Sequence, residues 1–143
     1  MPEFYVKVGD GARFSKTVGE YDVYDFAGIP GDFSPNHVDK SYMQKSSYGR
    51  LQPHGTLLVG YMSTASTANT RPGADETPVS LGYDRVRVVG PIYFGDTITV
   101  DYRITAVNPE RSRATANVEI RNRNDELVSV GTHIPKWVKN ARL

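Results

Sequence analysis

Pro53-His54-Gly55-Thr56-Leu57-Leu58-Val59-Gly60-Tyr61-Met62-Ser63-Thr64-Ala65-Ser66-Thr67-Ala68-Asn69 is the stretch on which the fold turns. Leu57, Leu58, Tyr61, Met62 and Ala65 recur at i, i+1, i+4, i+5 and i+8, a broad apolar stripe of helical period. The spacing predicts a helix that begins after Pro53 and runs to about Asn69. Its remaining positions are small: Gly55, Gly60, Ser63, Ser66 and Ala68. Small side chains admit neighbours on more than one side, so the helix is expected to be wrapped rather than to lie on a surface. Gly60 weakens the intrinsic propensity by about 1 kcal/mol relative to Ala, which tertiary packing must offset.

Downstream of this helix the period changes from helical to extended. Residues 70–77, with Arg71-Pro72-Gly73, read as a loop. Residues 79–89 read as a strand in which Arg85 and Arg87 alternate with Val86 and Val88. Residues 97–107 place Ile98, Val100, Tyr102 and Ile104 on one face and Thr99, Asp101, Arg103 and Thr105 on the other. After the turn Asn108-Pro109-Glu110 come strands at 113–121 and 127–134, joined by a hairpin loop at 122–126. Upstream, residues 4–8 suggest a short strand or extended arm and residues 12–18 another strand. Thr17 and Glu20 have capping-box spacing before a short helix at 20–27, which Gly28, Pro30 and Gly31 stop. Residues 40–46 predict a brief helix. The sum is one α+β domain over residues 1–143, a long central helix wrapped by a curved antiparallel β-sheet.

The bulk composition narrows the function classes. Lys and Arg total 17 against 16 for Asp and Glu, which argues against nucleic-acid binding by bulk electrostatics. The chain contains no cysteine, so disulfides, thiolate metal sites and cysteine nucleophiles are excluded. Residues 1–10 lack the apolar run of a signal peptide, and no segment approaches the ~18 apolar residues of a membrane span. The expectation is a soluble, cytoplasmic protein that engages neither nucleic acid nor membrane.

Two segments carry polar residues that turns alone do not require. In Gly31-Asp32-Phe33-Ser34-Pro35-Asn36-His37-Val38-Asp39 an aspartate and a histidine stand five residues apart. Histidine moves protons near neutral pH, and a nearby carboxylate can hold a water or orient the imidazole. Hydration needs such a pair, because water loses one proton while a substrate carbon gains another. Asp, Ser, Pro and Asn are also turn formers, and a purely structural loop accounts for the same letters. The second segment is Gln52-Pro53-His54-Gly55. A helix N-terminus offers free N–H groups and partial positive charge, the ingredients of an oxyanion hole; a plain helix start is the competing reading. His133, in the last strand, reads as structural or surface. The three histidines do not have a metal-site spacing, and no phosphate-binding glycine pattern or Gly-x-Ser-x-Gly elbow is present.

Three ordered pieces resemble the MaoC-like dehydratase family, which includes the (R)-specific enoyl-CoA hydratases. They are the loop from Gly31 to Asp39; Tyr48-Gly49-Arg50 with His54-Gly55-Thr56-Leu57-Leu58; and Gly90-Pro91-Ile92-Tyr93-Phe94-Gly95-Asp96-Thr97-Ile98, preceded by Tyr83-Asp84-Arg85-Val86-Arg87. The resemblance covers residues 14–130 and implies a hot dog fold, with the long helix held in an antiparallel sheet, and a homodimer or higher homo-oligomer. It implies addition of water to a trans-2-enoyl-CoA, giving the (R)-3-hydroxyacyl-CoA, or the reverse dehydration. Asp32 and His37 would bind and activate the water, the backbone N–H of Gly55 would polarise the thioester carbonyl beside His54, and Ser63 would support the histidine. No metal or redox cofactor is implied, only CoA as the carrier of the substrate. The loop departs from the family pattern at Ser34, where Asn is common, and at Asn36, where an aliphatic residue is common. Asn36 would set a polar group beside the base and alter acyl preference. The competing readings are a non-catalytic acyl-thioester-binding subunit and an acyl-CoA thioesterase.

Overall fold

The computed structural model describes residues 3–141. Strand β1 (Gly11–Thr17) leads into helix α1 (Glu20–Gly28), then the short helices α2 (Pro35–Val38) and α3 (Lys40–Gln44), then the long helix α4 (Gly55–Asn69). Strands β2 (Glu76–Val88), β3 (Thr97–Asn108), β4 (Arg113–Arg121) and β5 (Leu127–Lys139) follow. The five strands form one sheet in the order β1-β3-β4-β5-β2, every pair antiparallel.

The alternation predicted for β3 holds residue by residue: Ile98, Val100, Tyr102 and Ile104 are buried while their neighbours reach the other face. Ala114, Ala116, Val118 and Ile120 of β4 continue that face. Leu58, Tyr61, Met62 and Ala65 of α4 join them in one core. Each fully buried aliphatic side chain there contributes about 1.5–3 kcal/mol of transfer free energy. The phenolic groups of Tyr61 and Tyr102 are pushed up to about 12 by burial, so both remain neutral. Gly11 is needed where β1 meets β3: a Cβ there would sit 2.5 Å from the Tyr102 carbonyl oxygen.

As expected, α4 packs against the antiparallel sheet, and its outward positions Gly55, Thr56, Gly60, Ser63, Thr64 and Thr67 are exposed. Several finer expectations need correction. Helix α1 is capped from Gly19, whose N–H donates to Asp22 at 2.8 Å, and not from Thr17. Residues 4–8 form no regular strand. The simple alternation of Arg85 and Arg87 breaks because Arg85 takes φ 53°, inside a register shift between Asp84 and Arg87; such a bulge twists and bends its strand. Strand β5 runs on through Pro135 to Lys139, with Pro135 opposite Ser80.

Candidate active site

The loop after α1 folds back on the start of α4, and backbone hydrogen bonds hold the two together. Residues 34–38, expected as loop, contain one helical turn that Pro35 starts, because proline at the first helical position forfeits no hydrogen bond. Asp32 reinforces the approach: its Oδ1 accepts the Ser34 N–H at 3.2 Å, a local turn of the kind Asp favours. The Gln52 N–H donates to the Asn36 carbonyl at 2.9 Å.

Two imidazoles lie at the junction. His37 Nδ1 is 2.8 Å from the Gln52 carbonyl, and His54 Nε2 is 2.9 Å from the Asp32 carbonyl. A carbonyl only accepts, so each of these nitrogens carries the hydrogen. The neutral rings therefore keep their lone pairs on Nε2 of His37 and Nδ1 of His54. The rings stack with centroids 3.6 Å apart at 23°, and Phe26 meets His54 edge-on at 4.9 Å. Both imidazoles are buried while Asp32 is exposed. His54 Nδ1 has no partner among the described residues.

A carboxylate oxygen of Asp32 and a ring nitrogen from each histidine lie within 4.8 Å of one another. The sequence spacing gave no hint of this set, because His54 reaches it only through the fold. It does not suit a tetrahedral metal centre. An ion lies close to the plane of each imidazole that binds it, and two rings stacked 3.6 Å apart do not bring one ion into both planes at the ~2.0–2.1 Å of a zinc–nitrogen bond. The arrangement suits proton transfer: a carboxylate and imidazole nitrogens lie close together, and the His37 ring is held through Nδ1.

The cavity beside them measures about 480 Å³ and is lined by Asn36, His37, Gln52, Gly55 and Leu58, with residues 88–92 opposite. Gly55 is the first residue of α4, where backbone N–H groups lack intrahelical acceptors. His54 is the N-cap; its side chain turns away from the helix to hold the loop, a clamping part the sequence did not suggest. Asn36 lines the same cavity as His37. Ser63 does not join the pair within one chain: it lines a different cavity, farther along α4.

Comparison with known proteins bears on the family and the fold. The model of the MaoC like domain matches residues 6–127. An (R)-specific enoyl-CoA hydratase of Rhodospirillum rubrum is 33% identical over 111 residues, 77% of this chain and 74% of the relative. Another, from Aeromonas caviae, is 28% identical over 131 residues, 92% of this chain and 95% of the relative. The solved (R)-hydratase from A. caviae involved in PHA biosynthesis superposes with TM-score 0.82 at 28% identity, covering 92% of this chain and 96% of that one. The sheet and its long helix are those of the hot dog fold, and the chain belongs to the MaoC-like domain family.

Proposed function

We propose that the protein is a hydratase that adds water across the double bond of a trans-2-enoyl-CoA to give the (R)-3-hydroxyacyl-CoA, or runs the reverse dehydration. The observation that carries the reading is the meeting of the Asp32 carboxylate with the His37 and His54 nitrogens, within 4.8 Å, where His37 lines a cavity shared with the start of α4. Water held between Asp32 and His37 gives a proton to Nε2 as its oxygen bonds to C3 of the enoyl group. The displaced electron pair moves to the thioester oxygen, where the Gly55 N–H and the positive end of α4 stabilise it. Collapse of that enolate takes up a proton at C2, delivered by the same Asp32–His37 pair, and the site returns to its starting state. The 2.8 Å bond to Gln52 holds the His37 lone pair in place throughout.

In the same reading two copies pair along β2. This strand ends the sheet with an unpaired edge and exposes Val79, Leu81 and Val88, the kind of edge that a second strand covers. A partner there would also cover the side of α4 that one chain leaves bare. Light scattering should give a mass about twice that of the chain. Turnover is tested by loss of the enoyl-thioester absorbance. Release of free CoA thiol would instead mark a thioesterase, and binding without turnover a carrier or accessory subunit.

A further inference from the structure

The proposed mechanism leaves one polar side chain of the cavity unused. Asn36 is half-buried and lines the cavity of about 480 Å³ together with His37, Gln52 and Gly55. It is the second residue of the helical turn α2 and directly precedes His37, so their Cα atoms stand ~3.8 Å apart. Gln52 holds both residues. Its N–H donates to the Asn36 carbonyl at 2.9 Å, and its own carbonyl accepts from His37 Nδ1 at 2.8 Å. The backbone that carries the Asn36 side chain is therefore fixed relative to the imidazole.

Other polar side chains of this loop are already engaged. Asp32 accepts the Ser34 N–H at 3.2 Å, and Asp39 accepts the Tyr42 N–H at 3.0 Å. The side-chain amide of Asn36 has no hydrogen-bond partner among the described residues, although it carries two donors and an acceptor. Ser34, the other departure from the family's loop, is exposed and does not line the cavity. Of the two departures, only Asn36 changes the chemistry of the cavity wall. Val88, Val89, Pro91 and Ile92 make the rest of that wall largely apolar.

In the hydratase reading the thioester oxygen meets the Gly55 N–H and C3 meets the water held at His37. C4 is then the first acyl atom beyond the reacting centre. A hydrocarbon against the amide would displace its water and return no hydrogen bond, which is unfavourable. A carboxylate would lack a cation, since among the described residues no Lys or Arg lines the cavity. We propose that Asn36 is a specificity-determining residue whose amide donates to an uncharged oxygen at or just beyond C4 of the acyl group, a hydroxyl, ether or carbonyl; the inference rests on the hydratase reading above.

The test compares trans-4-methoxy-2-butenoyl-CoA with trans-2-hexenoyl-CoA, which differ by one oxygen in place of one methylene. The readout is the ratio of their kcat/KM values in the wild type divided by the same ratio in Asn36→Leu, so that the oxygen's intrinsic effect on the double bond cancels. The expected quotient is about tenfold, the worth of one hydrogen bond. Asn36→Ala, which removes the amide without adding bulk, gives a second quotient if Asn36→Leu does not fold. A quotient near one while both thioesters are turned over, including an equal loss on both, would overturn the assignment of Asn36 alone. Absence of turnover by the wild type on either thioester and on crotonyl-CoA would overturn the hydratase reading. Asn36 is then decided by binding of the saturated 4-methoxybutanoyl-CoA against hexanoyl-CoA. Tighter binding of the ether by the wild type, lost in the variant, supports the assignment, and an unchanged affinity ratio overturns it.

Discussion

His37 and His133 are both buried imidazoles with hydrogen bonds, yet the two regions they serve differ in one respect. His133 uses both ring nitrogens, on Tyr102 and Ser80. His37 uses one, on the Gln52 carbonyl, and its Nε2 has no hydrogen-bond partner among the described residues. Asp32 stands near His37; His133 is surrounded by hydroxyls. Burial therefore does not mark a base. In the proposed mechanism the base is the imidazole held through one nitrogen only, with Asp32 nearby.

The comparison can be broken at several points. The largest effect is expected for His37→Gln and Asp32→Asn, each lowering hydration by about 10²–10⁴-fold, the usual worth of a positioned acid or base, with the fold retained by circular dichroism. Next comes His54→Phe. It preserves a flat ring against His37 and Phe26 but loses the N–H to the Asp32 carbonyl. A fall in kcat smaller than that of His37→Gln is predicted, and an unchanged kcat would mean that the clamp is not needed.

The His133 side should answer in stability. His133→Phe leaves the Tyr102 hydroxyl buried without its partner, a loss of about 1–3 kcal/mol in denaturant unfolding. His37→Gln should lose less, because the amide can still donate to Gln52. A further effect concerns pH. The His133 pKa lies at about 4 in the folded chain against an ordinary 6.5, lowered by burial. Between these values the unfolded chain binds the extra proton, so the His133 contribution is intact above pH 6.5 and is lost as pH falls toward 4. Melting temperature should therefore drop less steeply over this window in His133→Phe than in the wild type; equal slopes would contradict the assignment.

How much of this was legible in the sequence depended on the kind of signal. Helix α4 and strands β3 and β4 were readable because their apolar residues repeat at one clear period. The β2 bulge at Arg85 was not, since a positive φ in a non-glycine residue leaves no mark in the pattern. Strand β5 was cut short at 134 because Pro135 reads as a strand end, although its partner strand continues opposite it. Asp32, His37 and Gly55 were legible as candidates because their side chains, or the lack of one, suit the chemistry. The clamps were hidden: both carbonyls that orient the histidines belong to the backbone, which every residue possesses. The surroundings of His133 were hidden too, because Tyr102 of β3 and Ser80 and Tyr83 of β2 meet it on β5 only through the fold.

The most direct test of the central claim is the decay of enoyl-thioester absorbance with crotonyl-CoA, measured for the wild type and for Asp32→Asn. The account predicts decay in the wild type, without release of free thiol, and its loss in the variant. Decay of equal rate in both proteins, or none in the wild type across short, long and branched enoyl-CoAs, would contradict it.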